Sequence, residues 1–339
     1  MISVTIHCGT YKTGSSSIQN RAYMTRDWLS EHDWLYPLTG LALNEPYIGY
    51  RHKSLIYNFN DREIWDELVQ KLIIEIKESG KKNILISAEG WSRPLTWPSL
   101  SELISCLRLA GIDSIRGIVY LRNRCDYARS VYREFTRRNG NAMPFGAYVR
   151  ENAHMFDLRL VASELQNIFS GQLTLFRYEN CQNVTDHLFS YLGIPKPLPI
   201  PELFVNKGLN TIEIEACRLL NAIRPRTYVK KFPGITKLCQ DLGIEIDVNR
   251  YGEVFLPTTL ACDANWKSDL VAITGWPESD VEALSLRPTS KPINVRKLSP
   301  ILQVICRMWL REFKEQKRKL AAQAKASELT ENAHIHVSE

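Results

Sequence analysis

What this sequence lacks narrows its class before any motif is read. It has no uninterrupted apolar stretch long enough to span a bilayer, and its start goes straight into a strand-like run without the basic residues and apolar core of a secretory leader. Its eight cysteines, at positions 8, 106, 125, 181, 217, 239, 262 and 306, form no C-x-x-C pair and no cluster with histidine at metal-ligand spacing. A zinc module and a disulfide scaffold are therefore not expected, and the thiols read as reduced and structural. Charge of one sign is also scarce. With 43 Lys and Arg against 37 Asp and Glu, the net charge of +6 is too small to argue for nucleic acid, and it suits anionic small molecules or acidic glycans better. There is no internal repeat and no low-complexity tract. The expected setting is cytoplasmic, with no transmembrane segment and with peripheral membrane contact left open.

What is present is a chain of 339 residues, 44% hydrophobic and 24% charged, enough for a full α/β core and a smaller second lobe. Residues 31–60 mix aromatics with Pro37, Gly40, Pro46 and Gly49 and read as an irregular insertion. A helix is expected over 61–79, with Ile64, Leu68, Leu72 and Ile76 on its buried face, and a buried strand over 83–87 that ends in Ala88-Glu89-Gly90. Further helices are expected over 99–110, 126–138 and 146–169, with strands over 115–121 and 172–177. Alternation of this kind predicts a doubly wound, three-layer α/β/α core around a mainly parallel sheet. The core is expected to occupy 1–205. Residues 206–339 read as a mostly helical extension that packs on the core and contributes to the acceptor site, with a final charged helix from about 300 to 328.

The opening segment Val4-Thr5-Ile6-His7-Cys8-Gly9-Thr10-Tyr11-Lys12-Thr13-Gly14-Ser15-Ser16-Ser17 reads as strand, anion-binding loop and helix. Backbone N–H groups at the helix start have no partner inside it, Gly14 permits close approach of the main chain, and the serines add hydroxyl donors. The nucleotide-hydrolysing pattern G-x-x-x-x-G-K-[ST] places lysine after the second glycine. Here Gly9 and Gly14 have that separation, but Ser15 follows and Lys12 precedes. A second anion site is suggested by Arg122, at a strand's carboxyl end, and Ser130, eight residues later in the next helix. Arginine offers a planar fork for phosphate oxygens, and serine adds a hydroxyl near the helix N-terminus. Arg129, Arg133 and Arg137 recur every four residues and read as a solvated helix face rather than as part of the site.

Together these two segments resemble the sulfotransferases that use 3'-phosphoadenosine-5'-phosphosulfate (PAPS), in particular bacterial members with an H-x-G-x-x-K-T-G-[ST]-[ST]-S-x-Q loop. The resemblance covers about residues 1–210 and implies a P-loop-like sulfotransferase fold. It implies that Lys12 contacts the 5'-phosphate and bridging oxygen of PAPS, that Thr13, Gly14, Ser15, Ser16 and Ser17 cradle the phosphosulfate, and that Arg122 and Ser130 hold the 3'-phosphate. The implied reaction is sulfuryl transfer to a hydroxyl or amine of a carbohydrate, glycolipid or similar acceptor, with no metal and with release of adenosine 3',5'-bisphosphate. Arg177-Tyr178-Glu179 followed by Leu192-Gly193-Ile194 resembles a family scaffold segment, and Lys207-Gly208 resembles a basic-glycine loop around the 3'-phosphate.

Transfer also needs a base for the acceptor's proton. Glu89 is favoured, since the family places a histidine or glutamate at the end of this strand and Ser87-Ala88-Glu89 resembles the Ser-Ser-Glu of bacterial members. His52, in the irregular insertion, is the rival, and His7 at a strand end reads as packed. Two other readings stand beside this one: a P-loop kinase or nucleotide hydrolase, against which the missing lysine after Gly14 counts, and a non-catalytic nucleotide-binding protein.

Overall fold

The structure, a computed structural model, describes residues 1–41, 50–195, 211–223 and 265–284 and a few isolated positions between 304 and 318. The Lys207-Gly208 segment and most of the expected helical extension, including nearly all of the helix over 300–328, lie outside the described residues.

Five strands form one parallel sheet: β1 (Ser3–His7), β2 (Trp34–Leu35), β3 (Asn83–Ser87), β4 (Ser114–Leu121) and β5 (Leu173–Arg177), in the order β2-β3-β1-β4-β5. The connection leaving β1 runs toward β2 on one side and the connection leaving β4 runs toward β5 on the other. Their carboxyl ends therefore flank a topological switch point, where open parallel sheets leave a crevice for ligands. The register pairs His7 with both Ser87 and Ile118, so β1 and β3 end side by side while β4 continues three residues further to Leu121.

The helices are α1 (Ser15–Met24), α2 (Arg26–Glu31), α3 (Ser54–Tyr57), α4 (Arg62–Glu78), α5 (Trp97–Leu109), α6 (Arg124–Arg138), α7 (Phe145–Glu151), α8 (Leu158–Ile168), α9 (Val184–Tyr191) and α10 (Thr211–Ile223), followed by Trp266–Thr274 and Glu278–Ala283. Side chains alternate across the sheet with the strand period of two. Val4, Ile6, Ile84, Ile86, Ile115 and Val119 point to one face, against Trp65 and Leu72 of α4, Leu103 of α5, Leu165 of α8 and Trp266. Leu85, Ile118 and Tyr120 point to the other, against Ile18 and Ala22 of α1, Leu29 of α2 and Leu188 of α9. Helices thus cover both faces, which makes the three-layer α/β/α arrangement expected of near-continuous apolar parallel strands.

Two compact units divide the chain. The first, Met1–Val131, Val149–Lys207 and Thr259–Pro288, holds the whole sheet and takes two helices from the last third of the chain. In the second, Tyr132–Tyr148, Gly208–Thr258 and Thr289–Glu339, the buried Asn221 amide donates to the carbonyls of Thr136 (2.7 Å) and Asn141 (2.9 Å). There Tyr132 also packs edge-on against Phe145 and Tyr148. Among the described residues no helix is long and apolar enough to cross a membrane.

Two local expectations need correction. The buried stripe of α4 is Trp65, Val69, Leu72 and Ile76, whereas Ile64 is 49% exposed. Leu72 and Ile76 are buried as expected, and the difference lies at the start of the helix, where Trp65 and Val69 rather than Ile64 and Leu68 fill the core. Trp65 is fully buried and its indole donates to the Leu55 carbonyl at 2.9 Å, which also anchors α3. The insertion, in turn, contains β2, an edge strand of two residues that is too short to show any alternation. Replacing the packed indole should be costly: Trp65→Ala is expected to lower unfolding stability by about 3–5 kcal/mol in urea titration. A loss below about 1 kcal/mol would contradict its place in the core.

Candidate active site

The loop between β1 and α1 is held by its own polar groups. The Cys8 N–H extends the ladder to the Ile118 carbonyl (2.9 Å), the Thr10 hydroxyl donates to the Tyr120 carbonyl (2.8 Å), and the Thr13 hydroxyl donates to the Thr10 carbonyl (2.7 Å). Lys12 has φ 67°, a left-handed conformation that ordinary residues adopt at a cost, and its carbonyl accepts from Arg122 Nη1 at 2.6 Å. The side chain of Lys12 is exposed above this fixed backbone. Gly14 precedes α1 at φ 76°, and a Cβ there would meet Val184 Cγ1 at 2.4 Å, so neither the turn nor the packing accepts a side chain. The first turn of α1 carries no acidic residue and no side-chain cap, and Ser16 and Ser17 are exposed on it. That helix start suits an anion, both by its dipole and by its outward N–H groups.

Beneath the loop runs a chain of polar side chains. His7 Nδ1 lies 2.8 Å from Ser87 Oγ, across the β1–β3 register pair. The Gln19 amide donates to Ser87 Oγ (3.3 Å) and to Glu89 Oε2 (2.8 Å), and Arg51 forms an ion pair with Glu89 Oε1. Glu89 opens a short helical turn, Glu89–Ser92, directly after β3 and is 6% exposed. Its carboxylate is thus gripped on both oxygens. His7 Nε2 is buried beside Gly9, without a hydrogen-bond partner among the described residues. Burial pushes the His7 imidazole down to about 4, against the opposing pull of Glu89.

His52 sits elsewhere in the same neighbourhood. It is fully buried, its backbone N–H donates to the Ser87 carbonyl (3.0 Å), and its Nδ1 accepts from the Ser87 N–H (3.1 Å). Its proton therefore belongs on Nε2, which donates to the Pro37 carbonyl at 3.0 Å. Burial pushes this imidazole down to about 4, outweighing its backbone hydrogen bonds. Both ring nitrogens are committed to the main chain, and the side chain works as a short substitute for a neighbouring strand.

Arg122 follows β4 and lies over the Tyr178 ring at 5.1 Å. The next residue, Asn123, caps α6 by accepting from the N–H groups of Cys125 (3.0 Å) and Asp126 (3.2 Å), and its own N–H donates to Glu179 Oε1 (2.7 Å). The Arg177-Tyr178-Glu179 segment is thus scaffold with a purpose, since it positions the backbone on either side of Arg122. The structure joins Arg122 to the loop through Lys12. Ser130 is half-buried further along α6 and shares no hydrogen bond with Arg122. Arg129 pairs with Asp126 on its own helix (3.3 Å).

No protein-family model matches this chain, and no curated protein matches it. Among solved structures, a sulfotransferase from Alicyclobacillus acidocaldarius is similar at 15% sequence identity and a TM-score of 0.34, over 84% of this chain and 94% of that one.

Gln19, Arg51 and Ser87 were not singled out as site residues by sequence reasoning. Gln19 stands one helical turn beyond Ser15, on the face of α1 turned toward the sheet, and that spacing is a usable signal. Arg51 had none, because only the fold brings it to Glu89. The two buried imidazoles set a pH dependence. Each has a folded value near 4 against the ordinary 6.5, so below pH 6.5 the unfolded chain binds more protons, and stability present above that pH is lost as pH falls toward 4. The unfolding free energy from urea titration is expected to decline through this window, by up to about 3 kcal/mol per histidine, with the midpoint falling accordingly, and His52→Gln should flatten the decline. A midpoint independent of pH between these values would contradict two neutral buried imidazoles.

Proposed function

We propose that this protein is a PAPS-dependent sulfotransferase that transfers a sulfuryl group to a hydroxyl of a carbohydrate-like acceptor. The observation that carries the reading is the Arg122 guanidinium bound to the Lys12 carbonyl. It ties a phosphate-type loop, whose lysine precedes its second glycine, to an arginine at the end of the neighbouring strand, at the switch point of the sheet. A nucleotide with anionic groups on both 5' and 3' positions has use for two such sites, and a nucleoside triphosphate does not.

In this reading Thr13, Gly14, Ser15, Ser16 and Ser17 and the start of α1 hold the 5'-phosphosulfate, and Arg122 with Ser130 holds the 3'-phosphate. The acceptor hydroxyl gives its proton to Glu89 as its oxygen attacks sulfur. The bond between sulfur and the bridging oxygen breaks, and the electron pair stays on the departing adenosine 3',5'-bisphosphate. Lys12 and the helix N-terminus neutralise that growing charge. Gln19 and Arg51 hold the Glu89 carboxylate in one orientation, so no rotamer search precedes proton transfer. His52 is unsuited to the base, because both its nitrogens are occupied by backbone groups.

Calorimetric titration with adenosine 3',5'-bisphosphate and, separately, with Mg-ATP tests the reading. The bisphosphate is expected to bind, and Arg122→Ala to weaken it by about 1.5–3 kcal/mol, the worth of a charged hydrogen bond. Binding of Mg-ATP with none of the bisphosphate would overturn the donor assignment. Glu89→Gln should slow transfer from PAPS at least about a hundredfold while leaving bisphosphate affinity unchanged, and undiminished transfer would remove Glu89 as the base.

A further inference from the structure

One buried donor beneath the phosphate-type loop has no part in the proton transfer or the charge neutralisation. His7 ends β1 with its side chain fully buried, and Tyr120 packs edge-on against the ring with centroids 6.0 Å apart. Nδ1 faces Ser87, and Nε2 faces the loop. The position that a Cβ on Gly9 would take lies 3.2 Å from His7 Nε2 and 2.5 Å from Ser15 Oγ, the hydroxyl of the first residue of α1. The imidazole edge and the start of the helix therefore flank Gly9, and both come this close to the main chain of the loop because residue 9 has no side chain.

The proton of this ring can be placed from its neighbours. Glu89, paired with Arg51, is a carboxylate and only accepts. The part of the Gln19 amide turned toward it is then the nitrogen, and the same nitrogen donates to Ser87 Oγ. With that oxygen already accepting, the Ser87 hydroxyl hydrogen needs an acceptor of its own. Among the described residues His7 Nδ1, at 2.8 Å, is the one within reach. Burial keeps the imidazole neutral, as its descent to about 4 records, and a neutral ring that accepts at Nδ1 carries its proton on Nε2. Glu89, Gln19, Ser87 and His7 thus aim one N–H at the underside of the loop, where it has no hydrogen-bond partner among the described residues. A buried donor left unmet is costly, and such a group marks a place where an acceptor belongs.

We infer that His7 is a further residue of the 5'-phosphate site, a neutral donor that gives its Nε2–H from below to an anionic oxygen held by the loop and the start of α1. The inference rests on the reading of this loop as the 5'-phosphosulfate site and deepens it. Backbone N–H groups of the helix start meet the anion from one side and the imidazole meets it from another. The same run of hydrogen bonds ends on the Glu89 carboxylate, so the floor of the donor site and the base are oriented together.

Nitrogen-15 NMR of the imidazoles in the full-length protein tests this without a substitution in the protein measured, the His7 resonances being assigned by their loss in the variants below. His7 is expected to carry a proton on Nε2 and none on Nδ1, and its Nε2 resonance to move on saturation with adenosine 3',5'-bisphosphate or with inorganic pyrophosphate. His7→Gln brings an amide nitrogen to the place of Nε2, whereas His7→Asn reaches no further than Nδ1. His7→Asn should weaken bisphosphate binding at least about tenfold, and His7→Gln by less than about threefold. A proton on Nδ1, or bisphosphate that binds without moving Nε2, would overturn the inference and leave the donor reading standing. Equal losses in the two variants would overturn it as well, because the ring would then serve packing alone. Pyrophosphate that moves Nε2 in a protein that does not bind the bisphosphate would support the inference and sink the donor reading. Binding of neither anion would overturn both.

Discussion

The arrangement of the candidate site hangs on the parallel register of three strands. Because His7 is opposite both Ser87 and Ile118, the chain leaves β1 and β3 at the same height while β4 runs three residues further to Leu121, and the segments that follow line one crevice. The two faces pack against different helices, so a slip by one residue would set every side chain of a strand against the wrong layer and is disfavoured. The phosphate-type loop, Glu89 and Arg122 are therefore placed together by the core and not by each other. Their mutual hydrogen bonds only refine a position that packing has already set.

Below that crevice the molecule accepts a burden. His7, Ser87, Gln19 and Glu89 are buried polar groups in a region where hydrocarbon would pack more simply. A satisfied network of this kind gives a single arrangement, and a partly satisfied one is destabilising. Here Ser87 and Glu89 are satisfied, whereas His7 Nε2, Gln19 Oε1 and the neighbouring Arg51 Nε are buried without a hydrogen-bond partner among the described residues. The arrangement makes sense if orientation of one carboxylate matters more than stability, which is the usual state of affairs where chemistry is done.

Strong local patterns were legible in the sequence. The strand Asn83–Ser87 and its acidic end, the phosphate-type loop, and Arg122 after β4 could all be read from runs of apolar residues closing on glycine or charge. What could not be read depended on choices between near-equal alternatives or on long-range contact. Ile64 and Trp65 begin competing stripes on α4, and only tertiary packing decides between them. A two-residue strand carries no period, so β2 was invisible. Arg51 and His52 are adjacent in sequence yet have opposite fates, one aimed at Glu89 and the other bonded to the β3 backbone, and only the fold tells them apart. The histidine drew attention for its chemistry, and its neighbour was the one that reached the carboxylate.

The strand-like role of His52 also ties α3 to the residues that follow β3. By bonding the Ser87 backbone with both its main chain and its ring, His52 references the start of α3 to the same strand that carries Glu89 two residues later. Helix α3 and the carboxylate thus share one datum, as the jaws of a vice share one bed. Displacements of the surrounding helices would carry both together and leave the gap between them constant. Loosening that single histidine would free the spacing between the two without any change to α3 itself.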